Sequence, residues 1–174
     1  MVNKGTERVI ELWNIVLMKY NRLGPKEFSK LPNLVIDTGM GLERISTVLN
    51  KLNSNYDTDL FLPLFNHIYM HSKNNGIKSY INCDENSRLS IAYRTLSDHM
   101  RSIVISISDG LVPSRNGLGG FLKYLIIKCM DISKDVFKSQ KETDLLCEMV
   151  PVVVKTLEKA YPELSGKIKY IQEV

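Results

Sequence analysis

Between Glu7 and Tyr20 apolar residues follow one another almost without a break (Val9, Ile10, Leu12, Trp13, Ile15, Val16, Leu17, Met18, Tyr20). So dense a run, rich in β-branched and aromatic side chains, predicts a strand of a sheet buried on both faces. Gly24-Pro25 and Leu31-Pro32 punctuate the chain beyond it, so residues 21–32 read as a hairpin loop. Leu34-Val35-Ile36 is a second, shorter strand. Leu42, Ile45, Val48, Leu49 and Leu52 then recur at helical spacing, which predicts a helix over 41–51. Strand, tight turn and helix thus meet at Asp37-Thr38-Gly39-Met40-Gly41.

Beyond Asn53-Ser54-Asn55 the period is helical throughout. Asp57-Thr58-Asp59 is placed to cap a helix from Leu60 to about His71, with Pro63 in its first turn. Residues 72–86 are polar and read as a surface loop. Ser87 or Asn86 caps a long helix whose stripe is Leu89, Ala92, Tyr93, Leu96, Met100, Ile103, Val104 and Ile107, ended by Asp109-Gly110. A glycine-rich turn over 113–120 precedes a helix carrying Phe121, Leu122, Leu125 and Ile126. Asp144 to Ala160 is a last amphipathic helix, interrupted by Pro151 and closed by Tyr161-Pro162. Two strands and a helix followed by helices alone make the fold class α+β, mostly α. The two strands read as one corner of a larger antiparallel sheet, and the domain boundary falls between residues 52 and 53.

Composition narrows the function classes. With 44% hydrophobic and 24% charged residues in 174 the chain is ordinary globular protein. No stretch has the unbroken apolar length of a membrane span, and Met1 to Gly5 is too short and polar for a signal peptide. A net charge of +4 leans towards a polyanionic partner. Cys83, Cys129 and Cys147 lie far apart, outside any zinc-binding spacing. His67 and His71 stand at i, i+4 without the glutamate of a zinc-protease helix, and predict a solvated helix edge.

Chemistry concentrates at Asp37 to Arg44. Gly39 and Gly41 let backbone approach a flat or phosphorylated ligand and permit positive φ in the turn. Asp37 ends the strand and points into that space, while Arg44, in the first helical turn, is able to hold a phosphate by paired hydrogen bonds. The plainer alternative is a strand-to-helix connection with Asp or Thr as N-cap and Arg44 in solvent. Asp-Thr-Gly is also the aspartic-protease signature, but that enzyme needs two such aspartates in an all-β frame. Lys123 and Lys128, with Lys134, Lys138 and Lys141 beyond, lie off the apolar stripe behind the glycine turn. That arrangement suits a nucleic-acid backbone or a solvated helix face.

Several stretches together resemble the alanyl-tRNA synthetases, a family of class II aminoacyl-tRNA synthetases. They are Glu11-Leu12-Trp13-Asn14-Ile15-Val16, Tyr20-Asn21-Arg22, Asp37 to Arg44, Asn53 to Phe61, Ala92-Tyr93-Arg94, Asp98-His99-Met100-Arg101, Ser108-Asp109-Gly110, Val152-Val153-Val154 and Tyr161-Pro162-Glu163-Leu164. The resemblance implies ATP-dependent activation of alanine and its transfer to tRNA(Ala), with Mg²⁺ accompanying the ATP. It makes 36–45 the third class II signature motif, at the end of a catalytic sheet that occupies 1–52. Gly39, Gly41 and Arg44 would meet ATP; Trp13, Asn14, Val16 and Asp37 would surround alanine, with Asp37 against its amino group. Residues 53–174 would belong to the helical domain that receives the tRNA acceptor stem, through Arg115, Asn116, Lys123 and Lys128.

The resemblance has gaps. Arg115 stands where the family has an asparagine, Leu118-Gly119-Gly120 replaces Arg-Gly-Tyr, and the double arginines beyond have become Lys123-Tyr124 and Ile127-Lys128. Such drift suggests an organellar enzyme, in the mitochondrion, with the cytoplasm as the alternative. The first two class II motifs and the zinc ligands of the editing domain are not found, so the sequence reads as an internal piece, inactive alone and completed by the rest of a synthetase chain. The competing expectation is a non-catalytic RNA-binding or interaction protein derived from such an enzyme.

Overall fold

The chain divides into two units, Met1–Thr58 and Asp59–Val174, and the computed structural model describes residues 9–174. The first part of the predicted opening strand, Glu7 and Arg8, lies outside the described residues. In the first unit β1 (Trp13–Arg22) pairs antiparallel with β2 (Phe28–Met40), which leads into helix α1 (Leu42–Leu49). The connecting loop is only 23–27. It is closed by Leu23 and Gly24 N–H groups donating to the Glu27 carbonyl (3.0 and 3.3 Å) and by Arg22 Nε donating to Gly24 O (3.0 Å).

β2 therefore begins earlier, and runs further, than the pattern predicts. Met18 pairs with Val35 and Tyr20 with Lys30, so Leu31, Pro32, Asn33 and Leu34 lie opposite Lys19 alone. Pro32, which has no N–H to give, sits in this interruption of the ladder. At the other end Asp37 to Met40 are strand, not turn. Gly41 is extended (φ −77°), and among the described glycines only Gly76, Gly110 and Gly117 have positive φ. Gly41 is itself the α1 N-cap, with no side-chain cap bond.

The expectation of a strand buried on both faces fails. Ile15 is 72% exposed on one face and Val16 43% on the other, because two strands cannot shield either side of a sheet.

In the second unit α2 (Leu62–Ser72), α3 (Arg88–Ser108), α4 (Gly117–Asp135), α5 (Asp144–Leu157) and α6 (Ile168–Glu173) are joined by loops and short 3-10 turns. The predicted stripe of α3 is its core face. Tyr93, Leu96, Met100, Val104 and Ile107 are almost fully buried against Leu64 and Ile68 of α2, Leu122 and Cys129 of α4, and Met149 and Val153 of α5. Burial pushes the Cys129 thiol up to about 12.

Ser87 caps α3 by accepting from Ser90 N–H, and Gly110 (φ 91°) follows its end. α2 starts later than predicted, at Leu62, and without a side-chain cap. The reason is local: the Asp57 carboxylate accepts from Ser54 N–H, and the Thr58 hydroxyl donates to Asn55 O. The loop over 72–86 is not wholly surface, since the Tyr80 ring packs 4.3 Å from that of Phe65. α5 runs straight through Pro151. The 3-10 turn Pro162–Lys167 and α6 carry no signal in the pattern, both being too short for a period to register.

Candidate functional site

The register of β1 on β2 decides which side chains share a face. Val16 lies opposite Asp37 and Asn14 opposite Gly39, and directly paired residues point the same way. Asn14, Val16, Asp37 and Gly39 thus occupy one face. Trp13, Ile15, Thr38 and Met40 occupy the other, where the Trp13 indole N–H donates to the Thr38 hydroxyl. Trp13 and Val16, both of which the resemblance places around alanine, are an odd number of residues apart and so point to opposite faces of this sheet.

On the first face the glycines act through closeness, with no left-handed turn. Gly39 N–H donates to Asn14 Oδ1 (3.2 Å), and a Cβ on Gly39 would stand 3.3 Å from that oxygen. A Cβ on Gly41 would press on the Arg44 side chain at 3.2 Å. Glu11, which no feature of the sequence marks for a role, holds both Asn14 and Arg44. Its carboxylate accepts from Asn14 Nδ2 (2.7 Å) and its carbonyl from Arg44 Nη1 (2.6 Å). The Gly41 N–H donates to Leu12 O (3.1 Å), tying the start of α1 to the residue that leads into β1. Asp37 keeps one oxygen on the Thr38 N–H (2.8 Å), which leaves the carboxylate able to accept a cationic amine beside Asn14 and Val16.

In the second unit the turn before α4 is built around Gly119. Ser114 N–H donates to Gly119 O (3.0 Å) and the Ser114 hydroxyl to Asn116 O (2.9 Å). A Cβ on Gly119 would fall 2.5 Å from the Val112 carbonyl, so the chain folds back on itself only with glycine there. This presents Arg115 and Asn116 at the surface. Arg115 and Lys123 line one concavity of about 420 Å³ with Pro113, Ser114, Ile126 and Ile127. Lys128 lies further round α4, its ammonium 5.9 Å from the Tyr124 ring centre. Lys134 is engaged elsewhere, 2.5 Å from Glu142, and Lys138 donates to Asp135 O.

His67 and His71 are not a solvated edge. Both turn towards Glu148 of α5, His71 Nδ1 at 2.8 Å and His67 Nε2 at 3.7 Å, while His71 Nε2 lies 3.1 Å from the Ser139 hydroxyl. Among the described residues no three His, Cys, Asp or Glu side chains are arranged to hold a metal ion, and no helix is long and apolar enough to cross a membrane.

Residues 1–174 match the family described as tRNA synthetases class II (A). The chain is 40% identical over 168 residues to the mitochondrial alanine--tRNA ligase of Drosophila melanogaster, covering 96% of this chain and 16% of that protein. It is 33% identical over 176 residues to the cytoplasmic alanine--tRNA ligase of Dictyostelium discoideum (99% and 18%), and 37% identical over 174 residues to the alanine--tRNA ligase of Chlorobium phaeobacteroides (100% and 19%). It thus spans less than a fifth of the length of these relatives. With the family match running from the first residue to the last, the chain belongs to the class II (A) tRNA synthetases.

Proposed function

We propose that this chain serves the activation of alanine with ATP and its transfer to tRNA(Ala), as part of an alanine--tRNA ligase. The observation that carries the reading is the face shared by Asn14, Val16, Asp37 and Gly39, with Arg44 held one helical turn beyond. Activation joins the alanine carboxylate to the α-phosphate of ATP and releases pyrophosphate. The substrate amine needs an anion beside it that does not attack, which Asp37 supplies. Val16 limits the space left for the side chain and Asn14 offers polar contact. Gly39 and Gly41 meet the nucleotide by letting Asn14 and Arg44 lie close against the backbone there, and Arg44 places a fixed cation where negative charge grows on the phosphates. Trp13, on the opposite face, supports the sheet and does not touch alanine.

For the Mg²⁺ implied by this family, no three His, Cys, Asp or Glu side chains are grouped among the described residues; bound with ATP it would take most of its ligands from phosphates and water. Residues 1–52 are assigned to the catalytic sheet and 53–174 to the domain that receives the acceptor stem, through Arg115, Asn116, Lys123 and Lys128. We assign the protein to the mitochondrion, on the drift of its arginine positions and its likeness to mitochondrial ligases.

The test is a segment exchange. Residues 1–174 replace the matching stretch of the fruit-fly mitochondrial ligase, and amino-acid-dependent pyrophosphate exchange is measured. Exchange that depends on alanine and is poor with larger amino acids supports the reading. A folded chimera that activates another amino acid in preference to alanine overturns it.

A further inference from the structure

α4 presents an unusual outer face. Phe121 and Tyr124 are 60% and 56% exposed, their rings stacked side by side with centres 6.4 Å apart and planes 28° from parallel. Leu118, largely in solvent, extends this patch towards the glycine turn, and the half-exposed Ile127 extends it along the helix. The Lys128 ammonium lies over the Tyr124 ring, and Arg115 and Lys123 line the neighbouring concavity. From Gly110 to Met130 the sequence holds these three cations and no carboxylate; Asp131 and Asp135 come only in the later turns of α4.

Exposed apolar rings are costly to leave in water, and rings set beside cations match one kind of ligand well. Lysine and arginine pair with phosphates, while aromatic faces accept the faces of bases. Bases inside a duplex are already stacked on one another, so a flat ring on a convex helix reaches only bases that are out of the stack. We propose that the Phe121–Tyr124 platform, with Arg115, Lys123 and Lys128 around it, binds unpaired nucleotides of an RNA strand. The inference rests on the acceptor-stem reading and deepens it: where cationic arginines are missing from this helix, stacking takes over part of the grip.

The test measures the binding of two RNA hairpins of one sequence to the 174-residue chain by fluorescence anisotropy. One hairpin is blunt and the other carries a four-nucleotide 3′ overhang. The overhang is expected to tighten binding about tenfold, in keeping with the worth of one stacked base. Phe121→Leu with Tyr124→Leu keeps the apolar surface but removes both rings; it should abolish the preference while leaving blunt-hairpin affinity and the melting temperature unchanged. Lys123→Gln with Lys128→Gln should weaken both hairpins in parallel and flatten their salt dependence.

Equal affinity of the native chain for the two hairpins, or a preference that survives the loss of both rings, overturns the proposal and leaves acceptor-stem binding standing. Binding of a free single strand with none of the blunt hairpin sinks the acceptor-stem reading and keeps the platform. Tighter binding to phosphatidylserine vesicles than to the tailed hairpin, retained in the double leucine variant, would assign the patch to a lipid surface and overturn the proposal.

Discussion

Gly119 shows how one residue sets the position of others. Its missing Cβ is what lets the 112–114 segment fold against the start of α4, since any β-carbon would run into the Val112 carbonyl, at 2.5 Å, and into Ser114 Oγ. Only one of these neighbours is a rotatable side chain. Gly119→Ala should therefore cost about 1 to 3 kcal/mol, read as a lower urea midpoint at unchanged slope. Gly120→Ala, whose nearest neighbour is Arg115 O at 3.1 Å, should cost less. Equal midpoints for Gly119→Ala and the native chain would contradict the close approach. That the glycines matter is plain in the sequence, but how they matter is not. At 39 and 41 the pattern suggests a turn of positive φ; the strand simply continues, and the glycines make room for Asn14 and Arg44. That distinction depends on strand register, which a short apolar run leaves open.

At the scale of elements, the most informative case is α5. Pro151 has no N–H to give to the Cys147 carbonyl four residues back, and a proline inside a helix ordinarily costs about 3 kcal/mol. Here the Cys147 carbonyl instead accepts from Gln172 Nε2 of α6 (2.8 Å), so the gap in one helix becomes the anchor of another. Pro151→Ala restores the internal donor. A double-mutant cycle should accordingly show Gln172→Ala destabilising the native chain more than the Pro151→Ala variant, with a coupling of about 0.5 to 1.5 kcal/mol. Strict additivity would refute the link. Pro151 is plain in the sequence, but its partner lies in a helix too short to announce itself.

Two histidines of the helical unit, His67 in α2 and His99 in α3, carry a pH dependence. Burial holds His67 below its ordinary value of 6.5, with Glu148 opposing and His71 assisting. His99 is lowered too, by burial and then Lys128, against Asp98. A histidine lowered in the folded state favours the neutral ring. As pH falls through about 6.5 the unfolded chain takes up the proton first, and stability declines. The melting temperature should drop between about pH 7.5 and pH 5.5, and drop less in His67→Gln with His99→Gln. An undiminished drop in that variant would rule out these rings as its source.

Over the whole molecule the two units differ in how much their sequence reveals. The longer helices of Asp59–Val174, α2 to α5, are legible because each buries one stripe, and that stripe repeats every three to four residues, as the α3 core face does. The first unit is legible as motif more than as geometry. Its dense apolar run announces a strand but not which side each residue takes, and the resemblance that groups Trp13 with Val16 carries no register to show that they point to opposite faces. The two faces divide the proposed roles: Asn14, Val16 and Asp37 where alanine is proposed to sit, Trp13 and Ile15 behind.

The most direct test of that claim is the rate of alanine-dependent pyrophosphate exchange in the segment-exchanged ligase, compared between Asp37→Ala and Trp13→Phe. Removing the Asp37 carboxylate should lower the rate about 100-fold or more, by analogy with other charge-stabilising groups in active sites, while Trp13→Phe should stay close to the parent rate. A full rate in Asp37→Ala, or an equal loss in Trp13→Phe, would contradict the assignment of the alanine site to this face.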